Sequence, residues 1–226
     1  IAGCYFSVGD DCIAVKSGKI YMGRKYKVPS KKIRIRQCCM KDGHGAITLG
    51  SEIGAGVIDL KVENCLFLST DRGLRIKTRR GRGEDSIIDK VLFKNIYMNQ
   101  VKAAFVVNSF YFCDPDGRDE YVSSLEPAPV DERTSRIKNL KFSNINCDNA
   151  HYCGAYIRGL PEQKIESVTM ENVRINYAAN AESGQAAMMV HCEPSAKIGI
   201  YIDNVENVVL DNVKVKGAIG EPITIK

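Results

Sequence analysis

Val91-Leu92-Phe93-Lys94-Asn95 has four close counterparts along the chain: Leu60-Lys61-Val62-Glu63-Asn64, Leu140-Lys141-Phe142-Ser143-Asn144, Val168-Thr169-Met170-Glu171-Asn172 and Val208-Val209-Leu210-Asp211-Asn212. Strict alternation of apolar and polar residues is the signature of a strand with one buried face. The closing Asn tolerates the left-handed backbone that a sharp corner requires. Gly3 and Gln37 hold the corner place in two earlier copies, so seven segments share the pattern. The copies recur every 27 to 34 residues where nothing is inserted, with longer gaps around residues 113 to 134 and 192 to 204. A period of this size marks a solenoid. The reading is all-β: a right-handed parallel β-helix of about seven coils, forming one domain over residues 1–226.

Counting from each corner tests the register. Ten and twelve residues on lie Ile13 and Val15, Ile47 and Leu49, Leu74 and Ile76, and Phe105 and Val107. All are apolar and should point inward, since side chains alternate faces along a strand. The residues beside them, including Lys16, Arg75 and Lys77, should face outward. Seven residues on lie Asp10, His44 and Asp71. Neighbouring strands are about 4.8 Å apart. His44 should therefore stand one coil above Asp10, with Arg75 and Lys77 two coils above, on the order of 10 Å away. Three short motifs thus converge: Gly9-Asp10-Asp11, Gly43-His44-Gly45 and Arg75-Ile76-Lys77. Alone, paired aspartates read as a solvated turn, a lone histidine as a surface residue and a strand Arg-x-Lys as an exposed face. Matched register favours a shared site. His151 and His191 lack that support and read as structural.

The net charge is +5, with Arg72, Arg75, Lys77, Arg79, Arg80 and Arg82 crowded beside the expected cleft, a patch suited to a polyanion. Nucleic acid is disfavoured: no aromatics interleave with the arginines for base stacking, and Asp10 and Asp11 would repel phosphates. No run of eighteen apolar residues occurs, which argues against a membrane span. Without an initiator Met or a charged-then-apolar leader, the chain reads as processed or as a piece of a longer protein. The nine cysteines form an odd set without metal-type CxxC pairs. Most read as buried apolar thiols, which favours a reducing, cytoplasmic compartment and leaves secretion open. Cys4, Cys38 and Cys65 each follow a corner and should stack.

The three motifs, in this order and spacing, resemble the active-site signature of glycoside hydrolase family 28, the polygalacturonases, in its bacterial type. The family also carries an Asn-Thr-Asp about one repeat before the paired aspartates. This chain begins nine residues before Asp10 and lacks it. The resemblance implies an inverting glycosidase of galacturonate-containing pectin chains, working without metal or cofactor. It implies Asp10 as the general acid, Asp11 as a base shared with the missing carboxylate, and His44 as support for the acid or a sugar hydroxyl. Arg75 and Lys77 would grip the substrate carboxylate, Tyr111 would stack on a sugar, and Lys16 would extend the subsite or be a plain exposed lysine. Two adjacent carboxylates resist joint ionisation, so one pKa should rise. A pectate lyase is the rival enzyme and a non-catalytic binding solenoid the rival outside catalysis. The basic loop from Thr78 to Glu84 and the insertion from Cys113 to Arg133 are read as walling one end of the cleft, which leans to exo action. An uncapped first coil would favour self-association.

Overall fold

A computed structural model describes residues 1–226 as two parallel sheets wound into a β-helix. One sheet runs through Tyr5–Ser7, Cys39–Lys41, Val57–Leu68, Ile87–Asn99, Asn139–Ala150, Ile165–Tyr177 and Val205–Lys216. Two side strands, Ser30–Arg36 and Arg136–Ile137, pair along it. The second sheet has seven short strands: Ile13–Val15, Ile47–Gly50, Arg72–Lys77, Ala103–Asn108, Cys153–Arg158, Ile198–Asp203 and Ile223–Ile225. Two short helices, Ile20–Tyr26 and Glu120–Ser123, lie outside the sheets. No helix is long and apolar enough to cross a membrane.

The corner residues do what their conformational freedom allows. Gly3, Gln37, Asn64, Asn95, Asn144, Asn172 and Asn212 all have positive φ. The five asparagines are joined Nδ2 to Oδ1 in an unbroken ladder, each after Asn64 donating to the one before it at 2.8–3.2 Å. At these asparagines the corner lies inside one long strand, because backbone pairing with the next coil continues on both sides of it, whereas Gln37 falls between Ser30–Arg36 and Cys39–Lys41. Inside, like side chains stack on like. Phe67, Phe93, Phe142 and Phe105 touch with ring centroids 4.3–6.3 Å apart. Cys4, Cys38 and Cys65 follow one another across the first strands, and all nine cysteines are free.

The second long gap falls elsewhere than the corner spacing suggests. Residues 198 to 203 form a strand of the short sheet, and the true excursion is 178 to 197. Ile198-Gly199-Ile200-Tyr201-Ile202 alternates like the other inward-facing strands, but in its coil the insertion lies between the long strand and this short one, whereas residues 113 to 134 follow the short strand Ala103–Asn108.

Asn144 tests the ladder. Asn144→Gly loses the ladder bonds while keeping φ +55° accessible, whereas Asn144→Ala loses the bonds and strains the backbone as well. Alanine should be the less stable of the two by about 1 kcal/mol, measured by chemical denaturation. Equal stabilities would mean that the corner conformation costs nothing.

Candidate active site

The short-strand sheet brings the three motifs together by its register. Ala14 opposes Thr48, which opposes Arg75, and Gly50 opposes Lys77. The loops feeding these strands stack as well: the His44 amide donates to the Asp10 carbonyl at 3.1 Å and the Asp71 amide to the Gly43 carbonyl at 2.9 Å. The glycines flanking His44 are required by close approach. A Cβ on Gly43 would sit 2.6 Å from Cys12 Sγ, and one on Gly45 would sit 2.9 Å from Asp11 Oδ1. All seven residues singled out from the sequence line one open cleft of about 480 Å³.

Arg75 and Lys77 start two coils from the acids, as their register implies, but they are not free clamps. Lys77 Nζ donates to Asp11 Oδ2 at 2.9 Å and Arg75 Nη1 to Asp11 Oδ1 at 3.3 Å. Both cations are nearly covered, at 9% and 7% exposure. They face outward as expected, but their long side chains reach back over the intervening coil, where Thr48 and Gly50 leave room. The expected rise in carboxyl pKa is not found at Asp11. Burial pushes its pKa up, but the Lys77 hydrogen bond and the charges of Lys77 and Arg75 more than offset this and hold it below the usual range. Asp10 stays exposed, and its Oδ1 accepts the Asp11 amide at 2.7 Å.

His44 has a partner to which the sequence reading gave no role. Asp71 Oδ2 lies 2.9 Å from His44 Nδ1, and Asp71 also pairs with Lys102 at 2.9 Å and with Arg72. Burial raises the Asp71 pKa, but Lys102, His44 and Arg72 together bring it below its ordinary value. An ionised Asp71 only accepts, so His44 Nδ1 carries the proton and Nε2 is left for other partners. The signal for Asp71 was present, since it occupies the register place of Asp10 and His44.

Tyr111 lines the cleft but is largely buried, with Lys77 Nζ 5.7 Å from its ring centre, and burial raises its pKa. Lys16 is bound by Glu52 at 2.8 Å. The basic patch is mostly consumed internally. Arg79 pairs with Asp116, Arg82 with Asp114, and fully buried Arg80 grips both oxygens of Glu162 at 2.6 and 2.8 Å. These arginines fasten the insertion after Asn108 to the solenoid and offer little to a polyanion. The cleft wall that the sequence did not reveal is Met188. Its loop is held by Arg72, which donates to Gln185 O at 2.8 Å, and by Asn108, which donates to Met188 O at 3.1 Å. No group of three or more His, Cys, Asp or Glu side chains forms a metal-ligand set.

A sequence model described as "Glycosyl hydrolases family 28" matches residues 1–195. The chain is similar to a probable polygalacturonase of Vitis vinifera, 30% identical over 183 residues, covering 80% of this chain and 35% of that protein. It is also similar to an exo-poly-alpha-D-galacturonosidase of Dickeya chrysanthemi, 30% identical over 144 residues, covering 64% and 23%. Among solved structures it resembles a hyperthermoactive exopolygalacturonase from Thermotoga maritima, with a TM-score of 0.66 at 21% identity, covering 92% of this chain and 40% of that one. That likeness shows the fold. The chain thus spans about a third or less of the length of these two curated relatives.

The Asp11 ion pairs have a pH signature. A carboxyl whose folded pKa is depressed contributes stability above the unfolded value, about 3.9, and loses it as pH falls through the folded value. Asp11→Asn should cost about 1.5–3 kcal/mol near neutrality. The gap to the parent should hold from pH 7 to 5 and narrow only below about pH 4, followed by thermal unfolding across that range. A gap that closes between pH 7 and 5 would show that Asp11 is not held ionised.

Proposed function

The chain belongs to glycosyl hydrolase family 28, and on that footing we propose that it is a cleft-bearing part of an inverting, exo-acting hydrolase of galacturonosyl linkages in pectin. The observation that carries this reading is an exposed carboxyl, Asp10, beside one fixed as an anion, Asp11, with the paired His44–Asp71 next to them. Glycoside hydrolysis needs one group to protonate the leaving oxygen and another to activate water. Asp10 suits the first role because solvent and substrate reach it. Asp11 suits the anionic role, but its lowered pKa makes it a weak base. That supports sharing the water with a second carboxylate, the role that the family resemblance gives to an Asn-Thr-Asp motif. A lyase would need a free arginine as base, and Arg72 and Arg75 are both committed to protein partners.

Exo action is supported by the Met188 loop. Ala186, Ala187 and Met189 cover Ala103, Val106 and Tyr156 on the next strands of the same sheet, so the cleft stops just past Arg75 and Lys77. A chain end fits such a dead end better than a continuous polymer does. The free thiols support a reducing compartment.

Asp10→Asn in the longer protein should lower kcat by about 10² to 10⁴ with circular dichroism unchanged. Activity above roughly a tenth of the parent's would assign the acid elsewhere. Because Lys77 touches Asp11, Lys77→Ala should lower kcat as well as raise KM, on galacturonate oligomers and on their methyl esters alike. A KM effect confined to the free acids would make Lys77 a pure carboxylate clamp.

The first strand, Tyr5–Ser7, pairs on one side only and leaves Ile1 and Tyr5 exposed. This supports association of residues 1–226 in isolation, through this edge. Light scattering should report a species larger than 25.0 kDa. A monodisperse monomer would refute it.

A further inference from the structure

We propose that the outer face of the last three long strands is a second, non-catalytic groove that holds an acidic polysaccharide chain while the cleft acts on chain ends. The long strands Asn139–Ala150, Ile165–Tyr177 and Val205–Lys216 bend at Asn144, Asn172 and Asn212. Their bend shapes an open, strongly polar groove of about 450 Å³. It lies on the other sheet from the cleft and shares no residue with it.

Two features suit this groove to a uronate polymer. The first is unspent positive charge. Asn146, Arg174 and Lys214 stand opposite one another on successive strands, with Lys216 at the strand end. Arg174, Lys214 and Lys216 are exposed and take part in no ion pair or side-chain hydrogen bond of the structure, unlike the arginines around the cleft. Two of the nearby acids are engaged: Glu171 with Lys141 at 2.7 Å, and Asp148 with Asn176 at 2.7 Å. Asp211, one residue before the corner, is the exposed exception. The second feature is the ladder itself. Each asparagine amide has two N–H donors, and the ladder uses one. Cations and neutral donors therefore repeat together at the strand spacing of about 4.8 Å, which matches a polymer carrying both carboxylates and hydroxyls.

Nucleic acid fits less well. The Asn146, Arg174 and Lys214 column contains no aromatic side chain, and the one ring that extends it, Tyr97 opposite Asn146, cannot stack successive bases. Lys214 and Lys216 lie beyond the residues matched to the family, so this groove is not part of that match. The identity of the anion as a galacturonate chain rests on the proposed function. Its role is multivalent retention: weak contacts along one polymer add up, and they raise the local concentration of chain ends at the cleft.

The test is electrophoresis of residues 1–226 through gels containing polygalacturonate, fully methyl-esterified pectin or duplex DNA. Arg174→Gln/Lys214→Gln/Lys216→Gln should weaken retention by polygalacturonate roughly five- to thirtyfold, since each exposed charge contact is weak but three are removed. The unfolding midpoint should stay at the parent value. Retention undiminished in the triple variant would overturn the proposal. Equal retention of the parent by the esterified polymer or by DNA would also overturn it, by showing that carboxylates are not what is read. The catalytic reading fails separately, as absence of turnover by the longer protein. Loss of polygalacturonate retention in the triple variant would support the groove even then.

Discussion

Every coil of this chain must satisfy its backbone N–H and C=O groups on the coils above and below, because a parallel strand has no partner within its own coil. That requirement fixes the vertical register, and the register then dictates side-chain chemistry. Residues at the same place in successive repeats are forced into columns about 4.8 Å apart. A column tolerates neutral, mutually complementary groups, which is why asparagine amides, phenyl rings and thiols stack here. A column of like charges repels itself and is tolerated here only in open solvent, as with Arg174 beside Lys214 on the outer face. Around the cleft the problem is solved by stagger: the acid sits in a loop on the first coil, small Thr48 and Gly50 occupy the second, and Arg75 and Lys77 descend from the third. The small middle residues matter as much as the charged ones, since a bulky side chain at either place would separate the cations from Asp11.

Stagger also makes two adjacent aspartates unlike. Asp11 points under the two cations and is desolvated, yet remains ionised because the opposing charges outweigh burial. Asp10 points away and keeps its solvent. Environment rather than residue type divides the roles of such a pair. The neighbouring His44 is oriented the same way, by an acid one coil above it whose own charge is secured by Lys102 and Arg72.

What was legible in the sequence was whatever the register determines. The alternation of Ile13, Ile47, Leu74 and Phe105, the corner at each Asn and the convergence of Asp10, His44 and Arg75 all follow from counting, because parallel stacking turns sequence offsets into positions. The reach of long side chains does not follow from counting. Arg79, Arg80 and Arg82 looked like a surface patch because three of their acidic partners, Asp114, Asp116 and Glu162, lie 32 to 82 residues away, in segments without period. Met188 was invisible for the same reason. The loop that carries it follows no repeat, and its place over the sheet is set by the backbone carbonyls of Gln185, Ala186 and Met188 and by the packing of Ala186, Ala187 and Met189, none of which recurs at a repeat position.

This division separates chemistry from reach. The acids and their cations are bound to the register of the first three coils, where a shift by one residue would turn every side chain to the opposite face. The Met188 loop hangs from Arg72 and Asn108 through its own backbone, and its Met188 sulfur meets Arg75 Nη2 at 2.6 Å. Where the cleft ends is set by a segment more than a hundred residues from Asp10 in sequence. A loop change there that keeps the contact to Arg75 reshapes the cleft without moving the carboxyls, because nothing in the backbone pairing of the first coils depends on it.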